Sequence, residues 1–252
     1  MVEPQIVVLA VAGSSPVGHP LFATLRDTRS REVRTQFHDR DEAGRLLAEK
    51  LTAYANRPDV VVLGLPRGGV PVAAQVAGHL NAPLDVFVVR KLGFPGHPEL
   101  AMGAIATGGI RVLNPEVIVS LQVPDDVIEA VAANEQDELK RRERAYRNDL
   151  PPPNVRGKTV ILVDDGIATG STMIAAVAAL RQLEAGRIVV ATPTVAATTL
   201  PQICEVADDV ATVIVPEEFY GVGQSYENFS QTTDDEVREL LGESNHRVTR
   251  VL

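Results

Sequence analysis

The chain has 252 residues, of which 45% are hydrophobic and 23% are charged, which is an ordinary composition for a globular protein. Its formal net charge of −9 argues against nucleic acid as the main partner, because contacts to phosphates dominate that kind of binding. No apolar run approaches the roughly 20 residues that span a bilayer, which argues against a membrane partner. The single cysteine, Cys204, cannot form an intrachain disulfide, so we expect a buried structural thiol and a cytoplasmic protein.

Residues 1–34 are predicted to be an N-terminal extension of unknown role. Residues 6–12 are apolar and are followed by small residues, as in a signal peptide. The residues before them include Glu3 but no lysine or arginine, so the positively charged region of a signal peptide is missing.

The first helix and the first strand are predicted at residues 39–56 and 60–65. The helix is amphipathic, and the strand is wholly apolar. The strand leads into Pro66-Arg67-Gly68-Gly69 and then into a helix at about residues 70–80. A glycine pair permits unusual backbone geometry and Arg67 adds a positive charge, which fits an anion-binding loop. A tight turn with a solvated arginine fits equally well.

A strand at residues 84–89 is followed by Arg90 and Lys91, and then by a segment rich in glycine and proline. We expect residues 92–109 to form a long flexible loop, because their periodicity is weak, and such loops are usually lids or binding elements. His97 in this segment is a candidate proton carrier, although a lone loop histidine is more often a polar surface residue.

Residues 125–148 are predicted to form a long charged helix that follows Pro124. Glu143, Arg144 and Arg147 are expected on a solvated, salt-bridged face. Three prolines at positions 151–153 then form a stiff link to the next strand.

The most informative segment is residues 158–172. Residues 160–163 are continuous, apolar and β-branched, as in a strand buried on both faces of a parallel sheet. Asp164 and Asp165 follow directly, and because burying two adjacent like charges is costly, we expect them at the open carboxyl edge of the sheet. Residues 166–172 then supply two glycines and three hydroxyls before an alanine-rich helix, residues 173–183. Such a loop is suited to a phosphate, and the acids to sugar hydroxyls or a metal.

Other phosphate motifs fit this segment poorly. A P-loop requires a lysine after Gly170, and a dinucleotide fingerprint requires three glycines at a spacing that is absent here. A receiver domain carries its acid pair nearer the N-terminus. Residues 160–172 resemble the PRPP-binding motif of the type I phosphoribosyltransferases at every defining position. The alternative is a buried strand followed by an ordinary polar turn. PRPP is 5-phosphoribosyl-1-diphosphate.

Further strands at residues 187–192 and 210–215, with a short helix at 199–204 between them, continue the alternation that begins at residue 60. This alternation predicts an α/β fold with a doubly wound parallel sheet. Residues 216–231, here called the hood segment, hold the aromatic residues Phe219, Tyr220, Tyr226 and Phe229. A capping box, Thr233 to Glu236, predicts a final helix to about Leu241.

The family resemblance implies a role for each matching residue. The ribose hydroxyls would be bound by Asp164 and Asp165, and the departing pyrophosphate would be met by Lys91, so these three are the candidate catalytic residues. A loop like 66–69 binds pyrophosphate in the family. The residues implied to bind PRPP are Arg67, Gly68, Gly69, Asp164, Asp165, Gly166, Ile167, Ala168, Thr169, Gly170, Ser171 and Thr172.

The acceptor is less well defined. In the family a variable hood holds the base, often by stacking, which makes Phe219 and Tyr220 candidates, although each could simply pack a small core. Transferases for 6-oxopurines usually carry an aspartate where this chain has Ala168, so hypoxanthine and guanine are expected to be poor substrates. The whole pattern, residues 37–241, resembles bacterial predicted phosphoribosyltransferases with no assigned substrate.

The resemblance therefore predicts a transferase domain at residues 35–241, with a helical insertion at 124–150 and a hood and helix at 216–241. It would move a phosphoribosyl group from PRPP to a nucleobase-like acceptor. Mg²⁺ would be held mainly through PRPP, without an all-protein metal site. Small-molecule substrates and a homo-oligomer are expected. The alternative is a PRPP-binding regulator without turnover, for which residues 125–148 or 1–34 could supply an interaction surface.

Overall fold

The structure is a computed structural model that describes residues 36–147 and 151–249, so the predicted extension at residues 1–34 lies outside the described residues. In chain order the elements are α1 (Arg40–Lys50), β1 (Val60–Gly64), α2 (Gly69–Leu80), β2 (Leu84–Val86), β3 (Val89–Phe94), β4 (His97–Ala106), β5 (Ile110–Leu113), α3 (Pro115–Ser120), α4 (Asp125–Arg147), β6 (Thr159–Val163), α5 (Ser171–Gln182), β7 (Arg187–Thr194), α6 (Leu200–Val206), β8 (Asp209–Ile214) and α7 (Asp234–Thr249). Short 3-10 helices lie at Thr52–Tyr54 and Val222–Ser225.

The central sheet has five parallel strands in the order β2-β1-β6-β7-β8, with helices on both faces. Val62 and Ile161 pack with α1, α2, α4 and α7, whereas Val61 and Leu162 pack with α5 and α6 on the opposite face. Since successive side chains of a strand point to opposite faces, strands covered on both sides are apolar throughout, and β1 and β6 are buried at every position. The predicted doubly wound α/β fold is confirmed.

Residues 89–113 form a second sheet, which is antiparallel and has the order β3-β4-β5. The prediction of a long loop at residues 92–109 is wrong. Gly96 and Gly108, each with a φ of 83°, occupy the turns between these strands. At Gly103 a Cβ would lie 2.3 Å from the Val112 carbonyl oxygen, so the glycine allows β4 to approach β5 closely. Glycines that indicated a loop in the sequence are therefore turn and close-approach positions in a sheet.

The predicted long helix is present as α4, but one of its charged residues is not solvated. Glu138 pairs with Arg141 and Arg142 on its outer face. The placement of Arg147 on a solvated face is wrong, because its side chain is 5% exposed and its Nε lies 2.8 Å from the Asp85 Oδ1. The end of α4 lies against the edge strand β2, where the Asp85 carboxylate pairs with the Arg147 guanidinium. Glu143 is half-buried and Arg144 is exposed.

The C-terminal helix begins as predicted and runs further. The Glu236 N–H donates to the Thr233 Oγ1 at 3.2 Å, and the Thr233 N–H donates to the Glu236 Oε2 at 2.6 Å, which is a reciprocal capping box. The helix continues past Leu241 to Thr249.

Cys204 in α6 is half-buried rather than buried. Within residues 36–147 and 151–249, no helix is long and apolar enough to cross a bilayer.

Candidate functional site

The two acids lie where the sequence places them, at the carboxyl end of β6. Because β1 and β6 are neighbours in register, with Gly64 opposite Val163, the loop after β1 runs beside Asp164 and Asp165. A Cβ on Gly68 would lie 2.0 Å from the Asp165 Oδ2, and a Cβ on Gly69 would lie 2.8 Å from the Asp164 Cα. The glycine pair is therefore required by the close approach of the two loops.

The acid pair is poorly solvated. Asp165 is buried, Asp164 is half-buried, and the Asp165 N–H donates to the Asp164 Oδ1 at 2.9 Å. Burial raises the pKa of both carboxyls, and the neighbouring charge of Asp165 raises the pKa of Asp164 further. Arg40 opposes this rise in the pKa of Asp165. The ionised forms of this pair are therefore unfavourable unless hydroxyl donors or cations stabilise them.

The loop after the acids leads directly into the N-terminus of α5. Gly170 precedes the helix with a φ of 74°, a conformation that favours glycine. The first N–H groups of any α-helix have no intrahelical acceptor, so those at Ser171 and Thr172 face the loop and can bind an anion. Thr169 is exposed, and its Oγ1 lies 3.3 Å from the Ser171 Oγ. Amides, hydroxyls and the positive end of a helix are thus gathered in one place.

Neighbouring strands hold this loop firmly. The Ile167 N–H donates to the Thr194 carbonyl at 2.9 Å, and the Ala196 N–H donates to the Ile167 carbonyl at 2.9 Å. The Ala168 carbonyl accepts a bond from the Thr199 Oγ1 at 2.5 Å. At Gly166 a Cβ would lie 2.3 Å from the Val222 Cγ1, so the hood segment packs directly on the motif. The loop is preorganised by backbone contacts.

The two candidate cations for pyrophosphate lie on different elements. Arg67 is 37% exposed, follows a cis peptide bond at Pro66, and its Nη1 lies 3.7 Å from the Asp234 Oδ1 at the start of α7. Lys91 is exposed within β3. Lys91 and Thr172 both line a cavity of about 610 Å³ whose wall also includes Glu135 of α4. The antiparallel sheet therefore brings Lys91 to the side of the site where α5 begins.

Two residues that sequence reasoning missed surround Asp165. The Arg40 Nε donates to the Asp165 Oδ2 at 2.8 Å, and both side chains are 12% exposed. The Tyr226 hydroxyl donates to the Asp165 carbonyl at 2.5 Å. The Arg40 guanidinium also lies 4.1 Å from the centre of the Phe229 ring. The aromatic content of the hood segment was a usable signal for Tyr226, but the sequence offered none that linked Arg40 to residue 165.

The predicted base-binding residues also lie in the hood segment. Tyr220 is 86% exposed, its hydroxyl donates to Glu218 and its N–H donates to the Gln224 side chain. Phe219 is half-buried. His97 is paired with Phe94 at the end of the β3–β4 ladder. The two rings are stacked, with their centroids 6.4 Å apart. Roles in base binding or proton transfer for these residues stay predictions.

The arrangement defines a class of protein. An acid pair, a glycine-rich neighbouring loop and a free helix N-terminus meet at the carboxyl edge of a doubly wound parallel sheet, where such folds bind ligands. Such an edge can bind an anion beside hydroxyl-bearing groups.

Comparison with known proteins gives the family. The family model described as the phosphoribosyl transferase domain matches residues 96–217. The crystal structure of TT1426 from Thermus thermophilus is 41% identical, covers 82% of this chain and 98% of that chain, and superposes with a TM-score of 0.74. The Mycobacterium tuberculosis protein named "Putative phosphoribosyl transferase Rv0571c" is 45% identical over 205 residues, which is 81% of this chain and 46% of that protein. The chain belongs to the type I phosphoribosyltransferase family, and it spans about half the length of the curated relatives it matches.

Proposed function

We propose that the protein transfers a phosphoribosyl group from PRPP to a nucleobase-like acceptor and releases pyrophosphate. One observation carries the proposal: the acids at 164 and 165 lie between the glycine pair after β1 and the free N-terminus of α5. This gives adjacent positions for a ribose, a 5′-phosphate and a pyrophosphate. Family membership supports the same interpretation.

In the proposed reaction the chain acts mainly through electrostatics. Breaking the bond between C1 and the pyrophosphate oxygen builds positive charge on the ribose and negative charge on the leaving group. Asp164 and Asp165 accept hydrogen bonds from the ribose hydroxyls, and the Thr169–Thr172 segment binds the 5′-phosphate through amides and hydroxyls. Arg67 and Lys91 stabilise the charge that develops on the pyrophosphate. The nucleophile is a ring nitrogen of the acceptor, which replaces pyrophosphate at C1, and the proton of that nitrogen passes to solvent or to the released pyrophosphate.

Magnesium fits this site as a substrate-bound ion. The part of the chain that the structure describes contains no group of three His, Cys, Asp or Glu side chains that could hold a metal ion. The donors available beside the motif are two carboxylates, and Mg²⁺ keeps several non-protein ligands when it binds with phosphates. When bound through PRPP it would neutralise charge on the pyrophosphate.

The acceptor is proposed to be a base other than a 6-oxopurine. Ala168 carries a methyl group that cannot accept a proton, and its carbonyl is already engaged by Thr199. Loss of general acid–base help typically costs about 10²–10⁴-fold in rate, which is the disadvantage expected for hypoxanthine and guanine.

The test is release of pyrophosphate from PRPP and Mg²⁺ with hypoxanthine, guanine, adenine, uracil and orotate in turn. Turnover with a base lacking the 6-oxo group, abolished in Asp164→Asn, is the expected result. Efficient turnover of hypoxanthine or guanine would refute the acceptor assignment. If calorimetry shows that PRPP binds while all five bases are silent, the protein is a PRPP-binding regulator or uses another acceptor.

A further inference from the structure

Arg40 joins three parts of the site. Besides its bond to Asp165, its Nη1 donates to the Ser230 carbonyl at 2.7 Å, and its guanidinium covers the Phe229 ring. Asp39 caps the start of α1 by accepting from the Glu42 N–H at 2.9 Å, which fixes the helix position from which Arg40 projects. A single side chain, only 12% exposed, therefore links α1, the acid pair and the hood segment.

The hood segment reaches Asp165 by a second route. Phe37, just before α1, forms a parallel bridge with Tyr226, and the two rings lie 5.5 Å apart. Tyr226 in turn bonds the Asp165 carbonyl and stacks on Phe229 at 5.1 Å. Tyr226 thus holds the backbone carbonyl of Asp165, and Arg40 holds its carboxyl.

The surroundings of Asp165 explain why a cation is needed there. The charged or titratable groups that face it are Arg40 from α1, Asp164 from its own loop and Tyr226 from the hood segment. The loop after β1 presents only the backbone of Gly68. Behind Arg40, Glu236 of α7 is the acid that interacts with its charge. Arg40 is the one cation among these, and a buried carboxylate without a paired cation is costly.

The carboxylate retains capacity for a ligand while Arg40 is bound. Arg40 donates one N–H to the Oδ2, whereas an ionised carboxyl offers about four acceptor positions on its two oxygens. Ion pairing at one oxygen therefore orients the group and leaves acceptor positions that Arg40 does not occupy.

We infer that Arg40 is a positioning residue that keeps Asp165 ionised and oriented for the ribose hydroxyls of PRPP and that couples this acid to the hood segment. The inference deepens the proposed function and rests on it. Arg40 does not itself touch the sugar. Its effect passes through Asp165, so the two residues act as one unit.

The test measures PRPP affinity by calorimetry in the presence of Mg²⁺, between pH 5 and 9. Arg40→Gln removes the cation and should weaken binding about tenfold to a hundredfold near neutral pH, because Asp165 would then lose one charge-assisted hydrogen bond to the ribose. Arg40 lowers the pKa of Asp165, so without Arg40 the loss of PRPP affinity at low pH should begin at a higher pH. The difference in affinity between Arg40→Gln and the unmodified protein should therefore shrink as pH rises. Arg40→Lys keeps the charge and should keep the profile of the unmodified protein. Arg45→Gln, an exposed position on the same helix, is the matched control.

A double-mutant cycle separates this role from packing. Asp165→Asn leaves the Ser230 and Phe229 contacts of Arg40 in place, so adding Arg40→Gln to it should cost little further affinity. Additive losses, or a deficit of equal size at every pH, would overturn the inference. If thermal unfolding shows that Arg40→Gln is unfolded, the pH profile of PRPP affinity in Arg40→Lys becomes the test. A profile shifted to higher pH in Arg40→Lys would overturn the inference.

These outcomes distinguish the inference from the function on which it rests. Normal PRPP affinity and an unchanged pH profile in Arg40→Gln would refute the positioning role alone. Absence of PRPP binding in the unmodified protein would refute both.

Discussion

The carboxyl edge of the central parallel sheet and the antiparallel sheet β3-β4-β5 contribute different kinds of residue to the candidate site. At the parallel edge the loops are held by backbone contacts, and their glycines meet the acids closely. On the antiparallel sheet Lys91 is an exposed side chain that lines a cavity shared with Thr172. A rigid edge is suited to holding the bound substrate, whereas an exposed cation is suited to charge that appears only as the bond breaks. The following variants test this division, from the largest expected effect to the smallest.

Lys91→Ala should lower turnover about 10²–10³-fold, the usual cost of removing one group that stabilises transition-state charge. Its effect on PRPP affinity should be far smaller, because the lysine is expected to act as charge develops. Steady-state kinetics and calorimetry on the same preparation measure the two quantities. Lys140→Ala, an exposed lysine on α4, is the control. Equal losses in turnover and affinity would instead make Lys91 a ground-state contact.

Gly103→Ala should lower the free energy of unfolding by about 1–3 kcal/mol, because the new methyl group would overlap the Val112 carbonyl and force β4 from β5. Chemical denaturation measures the change. Gly242→Ala is the control, since a Cβ there meets nothing within 4 Å and alanine favours a helix. A neutral effect of Gly103→Ala would indicate that this segment is a loose loop after all.

Thr169→Val should weaken PRPP binding about tenfold to a hundredfold by removing a charge-assisted hydrogen bond to the 5′-phosphate. The fold should be unaffected, because Thr169 is exposed. Thr198→Val provides an exposed threonine in a neighbouring loop for comparison. Unchanged affinity in a calorimetric titration would remove Thr169 from the phosphate site.

Asp234→Asn should give the smallest change, a gain in pyrophosphate affinity of up to about fivefold, the size of an exposed ion pair. Asp234 partly neutralises Arg67 and also accepts from the Tyr146 hydroxyl at 2.9 Å, a bond that asparagine can keep. Asp235→Asn changes a more exposed acid in the same helical turn. Binding of pyrophosphate measured at low ionic strength should separate the two variants. Weaker binding in Asp234→Asn would mean that this acid helps to hold the ligand.

Local patterns in the sequence determined the central sheet and the edge that carries the candidate site. Two strands, β1 and β6, are apolar throughout because both of their faces are covered. The carboxylates that follow β6 therefore lie just past its last residue, at the edge of the sheet. The capping box at Thr233 acts within one helical turn, so it too was readable. Each of these features depends on residues that are neighbours in the chain.

Only the tertiary structure decided the features that depend on contacts between distant residues. Gly103 of β4 resembles a loop glycine in the sequence, and only the structure shows that the Val112 carbonyl of β5 lies beside it. Arg147 ends a charged helix, and it is buried because Asp85 on an edge strand faces it. Arg40 lies 125 positions before Asp165, so no local pattern could pair them. Burial and pairing of charges are set by the partner across the fold, and sequence neighbours do not reveal that partner.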